Sequence, residues 1–221
     1  MDLRLYRNRI QYALYSSSDL EWPKSVLYDN FTEQWCANNQ DNYYSTGGYF
    51  PPDFKKLGDK LNAISFLNLK QGKLKIVDLG CGCGHFVKLC NSLGHTAIGT
   101  EIQPVLDTKI TEVHAHYNLD VLELEIKKNT EIVLPDKYDL IVGLRTTFNS
   151  GDENTFYYTA QDWLFLKENL FNFLEPNGRV FLKTNLKFLK NDITTAQQEM
   201  LSAFGDPIFG FNTFTYLLEK Q

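Results

Sequence analysis

The segment Val77-Asp78-Leu79-Gly80-Cys81-Gly82-Cys83-Gly84-His85-Phe86 puts glycine at alternate positions between an apolar run and an amphipathic one. With no Cβ in the way, such a loop lets backbone N–H groups approach a ligand at the start of a helix. A dinucleotide loop spaces its glycines G-x-G-x-x-G, which needs glycine at position 85. His85 stands there instead, and Gly84 supplies the third glycine one residue early. An acid, Asp78, also precedes the first glycine by two residues, where dehydrogenase loops carry an apolar or small residue. Glu101 closes the next strand-like run, and a carboxylate there can accept both hydroxyls of a ribose. In Asn118-Leu119-Asp120-Val121, after a third run, the Asp120 carboxylate could face an adenine amino group. Loop and acids together describe a pocket for an adenosine-containing ligand.

These residues need a scaffold that brings strand ends together. From about residue 72, short apolar runs alternate with helix-like segments, the pattern of an α/β fold with a parallel sheet. Strands are expected at Lys75–Gly80, Thr96–Glu101, Glu112–Tyr117, Tyr138–Leu144 and Arg179–Thr184, the last after a tight turn at Pro176-Asn177-Gly178. Helices are expected from Phe86 to the stop at Gly94, from near Pro104, from Ala160 to Leu174 and from Thr194 to Phe204. Pro207–Phe211 and Thr213–Leu218 read as a terminal hairpin. The expected topology is an open sheet of five parallel strands finished by that hairpin. Residues 1–60 form an extension or lid over the carboxyl ends of the strands, where such sheets bind ligands, and residues 61–221 form the main domain.

Asp78-Leu79-Gly80-Cys81-Gly82-Cys83-Gly84 resembles motif I of the class I S-adenosylmethionine-dependent methyltransferases. Glu101 matches their ribose-binding acid and Asp120 their adenine-side acid, and Glu175-Pro176-Asn177-Gly178-Arg179 is similar to their turn before strand five. The resemblance covers roughly residues 70–185 and more loosely the hairpin. It implies a Rossmann-like methyltransferase fold: a seven-stranded, mostly parallel sheet in the order 3-2-1-4-5-7-6, strand seven antiparallel, with helices on both faces. It implies S-adenosyl-L-methionine as cofactor, held by Asp78, Gly80, Cys81, Gly82, Gly84, Glu101, Ile102, Asp120, Val121 and Leu144. The stretch Phe148–Asn185, with Asp162-Trp163-Leu164-Phe165-Leu166, also looks like bacterial small-molecule or glycan-modifying enzymes of this class.

Composition narrows the acceptor. The 221 residues carry 22 Lys and Arg against 27 Asp and Glu, a formal charge of -5, whereas a dedicated nucleic-acid binder normally has a basic surplus. The end of strand four, Gly143-Leu144-Arg145-Thr146-Thr147-Phe148-Asn149, lacks the acid, Asn or Ser followed by Pro-Pro-aromatic that base-amine methyltransferases show. It also carries Arg145 where metal-dependent enzymes of the class place an acid, so no metal is expected. A small-molecule, sugar or sugar-phosphate acceptor follows, methylated at oxygen rather than nitrogen. RNA or protein acceptors, or a non-catalytic cofactor-binding subunit, are the alternatives.

His85, Arg145 and Asn149 are the candidate catalytic residues. His85 is either a base beside the reacting centre or a helix-start histidine facing solvent. Arg145 either grips an anionic acceptor bidentately or pairs with Asp152 or Glu153. His114 and His116 share a face of the expected third strand and read as structural. Cys81-x-Cys83 lacks a second pair at zinc spacing, so both read as small loop residues. Lys55, Lys56, Lys60, Lys70, Lys73 and Lys75 form either a solvated flank or a phosphate contact, and Tyr43, Tyr44, Tyr49 and Phe50 either a lid or a satellite core. Four cysteines are too few and irregular for a disulfide framework, and the charged opening residues Asp2, Arg4, Arg7 and Arg9 offer no signal-peptide core, so a cytoplasmic location is expected.

Overall fold

The computed structural model describes residues 21–27, 29–39, 54–148, 157–184, 193–208 and 214–220. Two N-terminal helices, α1 (Glu21–Leu27) and α2 (Asn30–Asn38), precede α3 (Phe54–Phe66). Then β1 (Lys75–Leu79), α4 (His85–Ser92), β2 (Thr96–Glu101), α5 (Gln103–Leu106), α6 (Ile110–Tyr117), β3 (Val121–Glu123) and β4 (Tyr138–Thr146) follow. The chain continues with α7 (Ala160–Asn172), β5 (Leu174–Thr184), α8 (Ile193–Phe204) and β6 (Thr215–Glu219).

Among the described residues the sheet has six strands in the order β3-β2-β1-β4-β5-β6. The first five are parallel, and β6 runs antiparallel to β5, pairing Lys183 with Thr215 and Arg179 with Glu219. The α/β class and the antiparallel strand beside β5 are therefore as expected. The first strand of the expected hairpin, Pro207–Phe211, lies outside the described residues from 209 onward. Ile208, at the edge of that gap, donates its N–H to the Thr215 carbonyl at 2.7 Å.

Side chains alternate across the sheet, and two cores form on its two faces. One face carries Ile76, Leu140, Val142 and Phe181, packed under α1–α4 and α6 through Leu27, Trp35, Leu57, Ile64, Phe86 and Val113. The other carries Val77, Leu79, Ile141, Val180 and Leu182 under α7 and α8, through Trp163, Leu166, Leu170 and Met200. A Thr159–Asp162 capping box starts α7, satisfying amide groups at the helix N-terminus. The boundary expected at residue 60 falls inside α3.

Two local expectations are corrected. Glu112–Tyr117 is part of helix α6, because Ile110, Val113, His114 and Tyr117 fall at helical spacing on one buried face. The alternation of His114 and His116 was misread as period two. The third strand is instead Val121–Glu123, level with Gly99–Glu101. The turn at Pro176-Asn177-Gly178 persists as an irregularity within β5, with Asn177 at φ 65° and a register shift against β4.

Candidate active site

Parity along each strand decides what reaches the carboxyl edge of the sheet. Ile76 lies on the α3/α4 face, so Asp78 does too; the same counting from Ala97 on β2 and Phe181 on β5 places Glu101 and Lys183 there. Asp78 and Glu101 are thus brought to one side of the glycine loop.

The loop is fixed from both sides. Glu101 Oε1 accepts the Gly82 N–H at 2.7 Å, and its Oε2 accepts the Ile102 N–H at 3.1 Å. His114 Nε2, from α6, lies 2.7 Å from the Gly82 carbonyl and donates to it in the neutral ring. Cys81 N–H donates to the Thr100 carbonyl at 2.9 Å, and Cys81 itself is buried. Gly80, Gly82 and Gly84 all have left-handed φ, at 68°, 57° and 73°. A side chain at any of them is strained, so the alternating glycines serve the turn itself as well as any ligand.

Burial tunes both acids. Asp78 is only 2% exposed, and its Oδ1 has no hydrogen-bond partner among the described residues. Burial pushes its pKa up to about 7, opposed by the nearby Lys60 charge and assisted by Glu101. Lys60, reaching in from α3, has its own pKa lowered by burial, with the Asp78 and Asp59 charges acting the other way. Glu101 is also raised by burial, against the two backbone hydrogen bonds that favour its charged form.

The predicted site residues fare differently. Asp78, Gly80, Cys81, Gly82, Gly84 and Glu101 are assembled around the loop. Ile102 is 38% exposed directly beside the 8% exposed Glu101, an apolar surface at the sheet edge. Leu144 and Val121 pack against the core under α3 and α4. Asp120 precedes β3 rather than following the third strand, is exposed, and gives its carbonyl to Gly99 N–H, while Glu123 occupies the strand end level with Glu101.

His85 faces neither solvent nor an open pocket. It is 3% exposed at the start of α4, edge-on to Tyr117 with ring centroids 6.2 Å apart, and burial holds its pKa well below the usual histidine range. Arg145 pairs through Nε with Asp59 of α3, which also takes Lys183; the expected partners Asp152 and Glu153 lie outside the described residues, as does Asn149. Lys60 turns inward, Lys75 pairs with Asp136, and Lys70 and Lys73 are exposed, so these four form no single flank among the described residues. Tyr43, Tyr44, Tyr49, Phe50 and the Lys55 and Lys56 side chains lie outside the described residues.

The sequence reading missed Asp59, Lys183 and the part His114 plays. Lys183 could have been found by parity on β5; Asp59 and His114 carry no signal without the helices that bring them in. Cys81, Cys83 and Cys90 are buried, and no described helix is long and apolar enough to cross a membrane.

No protein-family model matches the chain, and no curated protein does. Among solved structures it is similar to the CcbJ methyltransferase of Streptomyces caelestis, with 22% identity over 57% of this chain and 48% of that one, TM-score 0.44. It is similar to CalS10, an amino pentose methyltransferase of Micromonospora echinaspora solved with bound S-adenosylmethionine, with 16% identity over 57% and 49%, TM-score 0.40. A third is an S-adenosylmethionine-dependent methyltransferase of Clostridium acetobutylicum, with 20% identity over 67% and 57%, TM-score 0.45. The chain spans about half the length of the first two, at 48% and 49%.

Proposed function

We propose that the chain is an S-adenosylmethionine-dependent methyltransferase acting on a small-molecule or sugar acceptor. The observation that carries this is the pair of buried acids, Asp78 and Glu101, on one side of a glycine loop. Among the described residues Asp78 Oδ1 has no hydrogen-bond partner, and Glu101 already grips the loop. A buried carboxylate oxygen without a partner suits a cation, and the amino-acid end of the cofactor supplies an ammonium. Each Glu101 oxygen uses one lone pair on a backbone N–H and keeps another for a ribose hydroxyl. The exposed Ile102 supplies an apolar contact for an adenine ring, and Glu123, rather than Asp120, stands at the adjacent strand end.

The cofactor, when bound, supplies an electrophilic methyl group on sulfur; the protein's part is to align the acceptor and exclude water. An oxygen acceptor calls for a general base, and His85, the residue assigned to that role, is enclosed. An amine acceptor arriving neutral needs no such base. The acceptor's product carries one added methyl group and loses one proton to solvent.

The test is isothermal titration of the purified chain with S-adenosylmethionine, S-adenosylhomocysteine and NAD in parallel. Binding of both sulfur compounds without NAD is the expected result, followed by a mass-spectrometric screen of amino and hydroxyl sugars for methyl gain. Binding of NAD alone, or of none of the three, overturns the reading.

A further inference from the structure

We propose that Arg145 is a specificity residue that binds an oxyanion, a carboxylate or phosphate, on the methyl acceptor; this rests on the methyltransferase reading of the site. Leu140, Val142 and Leu144 share the α3/α4 face of the sheet, so strict alternation would send Arg145 to the opposite face. It does not go there. Arg145 takes a left-handed φ of 59°, and the β4–β5 register shifts between Leu144 and Thr146. The guanidinium consequently meets Asp59 on the α3/α4 face. A left-handed arginine at a strand end is strained backbone, held by its surroundings. Thr146, the next residue, donates Oγ1 to the Leu79 carbonyl at 2.6 Å, tying this bend to the foot of the glycine loop.

Asp59 is one carboxylate shared by two cations, Arg145 and Lys183. Lys183, with its side chain 5% exposed, is the enclosed partner, while the Arg145 side chain remains 37% exposed. The contact to Asp59 runs through Nε, and the two terminal nitrogens of Arg145 make no hydrogen bond among the described residues. A guanidinium anchored at Nε presents those terminal N–H groups as a planar fork, the geometry that fits two oxygens of one carboxylate or phosphate. It does so at the carboxyl end of β4, the strand next to the loop-bearing β1. Of the two cations on Asp59, the Arg145 guanidinium is therefore the one open to an entering acceptor.

The experiment follows the arginine side-chain N–H signals of the full-length chain by NMR, with inorganic phosphate and acetate titrated separately and the Arg145 signal assigned with Arg145→Lys. A saturable shift of that signal is expected with at least one anion, and the two arms distinguish phosphate from carboxylate. Arg145→Gln should abolish the binding, and Arg145→Lys should weaken it about tenfold or less, since it keeps charge and loses the fork. Asp59→Asn, which removes the competing carboxylate, should tighten it severalfold. No saturable shift with either anion overturns the proposal, as does unchanged binding in Arg145→Gln. If Asp59→Asn fails to fold, the two Arg145 variants decide alone. Calorimetry with S-adenosylhomocysteine on the same samples separates the readings. A chain that binds the thioether but no anion keeps the proposed function and loses this inference. One that binds the anion but no thioether loses the acceptor assignment along with the function.

Discussion

Glu101 Oε1 accepts the Gly82 N–H at 2.7 Å, so the acid proposed to hold a ribose also fixes the loop that would cradle the rest of the cofactor. Removing it does two things at once. Glu101→Ala deletes the carboxylate proposed to hold a ribose and leaves the Gly82 and Ile102 N–H groups without their acceptor. Loss of the two proposed ribose-hydroxyl hydrogen bonds to this charged group, at about 1.5 kcal/mol each, corresponds to roughly a hundredfold loss of affinity for S-adenosylhomocysteine. Titration calorimetry reads this directly, and an affinity within about threefold of wild type removes Glu101 from the binding site.

His114 holds the other side of the same glycine, its Nε2 lying 2.7 Å from the Gly82 carbonyl. The ring is 5% exposed, and burial keeps its pKa below the usual histidine value, so it donates as a neutral group. His114→Ala is expected to cost about 1–2 kcal/mol of stability and a several-fold loss of cofactor affinity. His114→Gln, whose amide can donate from a similar position, should recover part of both. A lower melting temperature with undiminished affinity would show that the loop keeps its position without this bond.

How much of this could be read from the chain follows from the range of the interactions involved. Lys75–Leu79, Thr96–Glu101 and Tyr138–Thr146 were legible because buried parallel strands are short apolar runs bounded by glycine or polar residues. The loop and Glu101 were legible because the chemistry is local. Ile110–Tyr117 was misread because two alternating histidines imitate period two, and the buried Ile110, Val113 and Tyr117 reveal the helix only when counted at three and four. With the third strand at Val121–Glu123, Asp120 stands before it rather than after it. His85 was placed at the correct helix start, but its burial depends on Tyr117, thirty-two residues away, and no local pattern records that. Asp59 and Lys183 meet across 124 positions, a pairing that only the packing of α3 on the sheet can set.

The raised pKa of Asp78 gives the site a pH dependence with a defined sign. Its folded value of about 7 lies above the ordinary 3.8, so the folded chain holds this proton more tightly than the unfolded one. The resulting contribution to stability is fully present below about pH 4 and is lost as pH rises through about 7, amounting to roughly 4 kcal/mol at about 1.4 kcal/mol per unit. A bound ammonium favours the ionised carboxylate and reverses the preference. Affinity for S-adenosylhomocysteine should therefore rise with pH, by up to about tenfold per unit, and level off above about pH 7. The Lys60 and Glu101 charges both act on Asp78, so Asp78→Asn is the control that should flatten the profile. An equally steep profile in that variant assigns the dependence to another group.

Gly99, in the middle of β2, supports the loop by what it lacks. An alanine there would place its Cβ 2.5 Å from Cys81 Sγ and 2.9 Å from Cys81 Cβ, both far inside contact distance. Gly99 is not among the glycines with left-handed φ, so its backbone accepts alanine and the whole conflict is with Cys81. Cys81 cannot swing aside freely, since its N–H is bonded to the Thr100 carbonyl and its side chain is buried. Gly99→Ala should thus cost about 1–3 kcal/mol, as overpacked cores do, and displace Gly82 from Glu101, lowering cofactor affinity as well. Cys81→Ala alone should not repair the double variant, because the Cβ itself is too close, whereas Cys81→Gly should. Denaturation and calorimetry on Gly99→Ala, Cys81→Gly and the pair form a double-mutant cycle, and a coupling energy of about 1 kcal/mol or more is expected. Strict additivity would mean that Cys81 does not rest on Gly99 and that the loop is positioned by Glu101 and His114 alone.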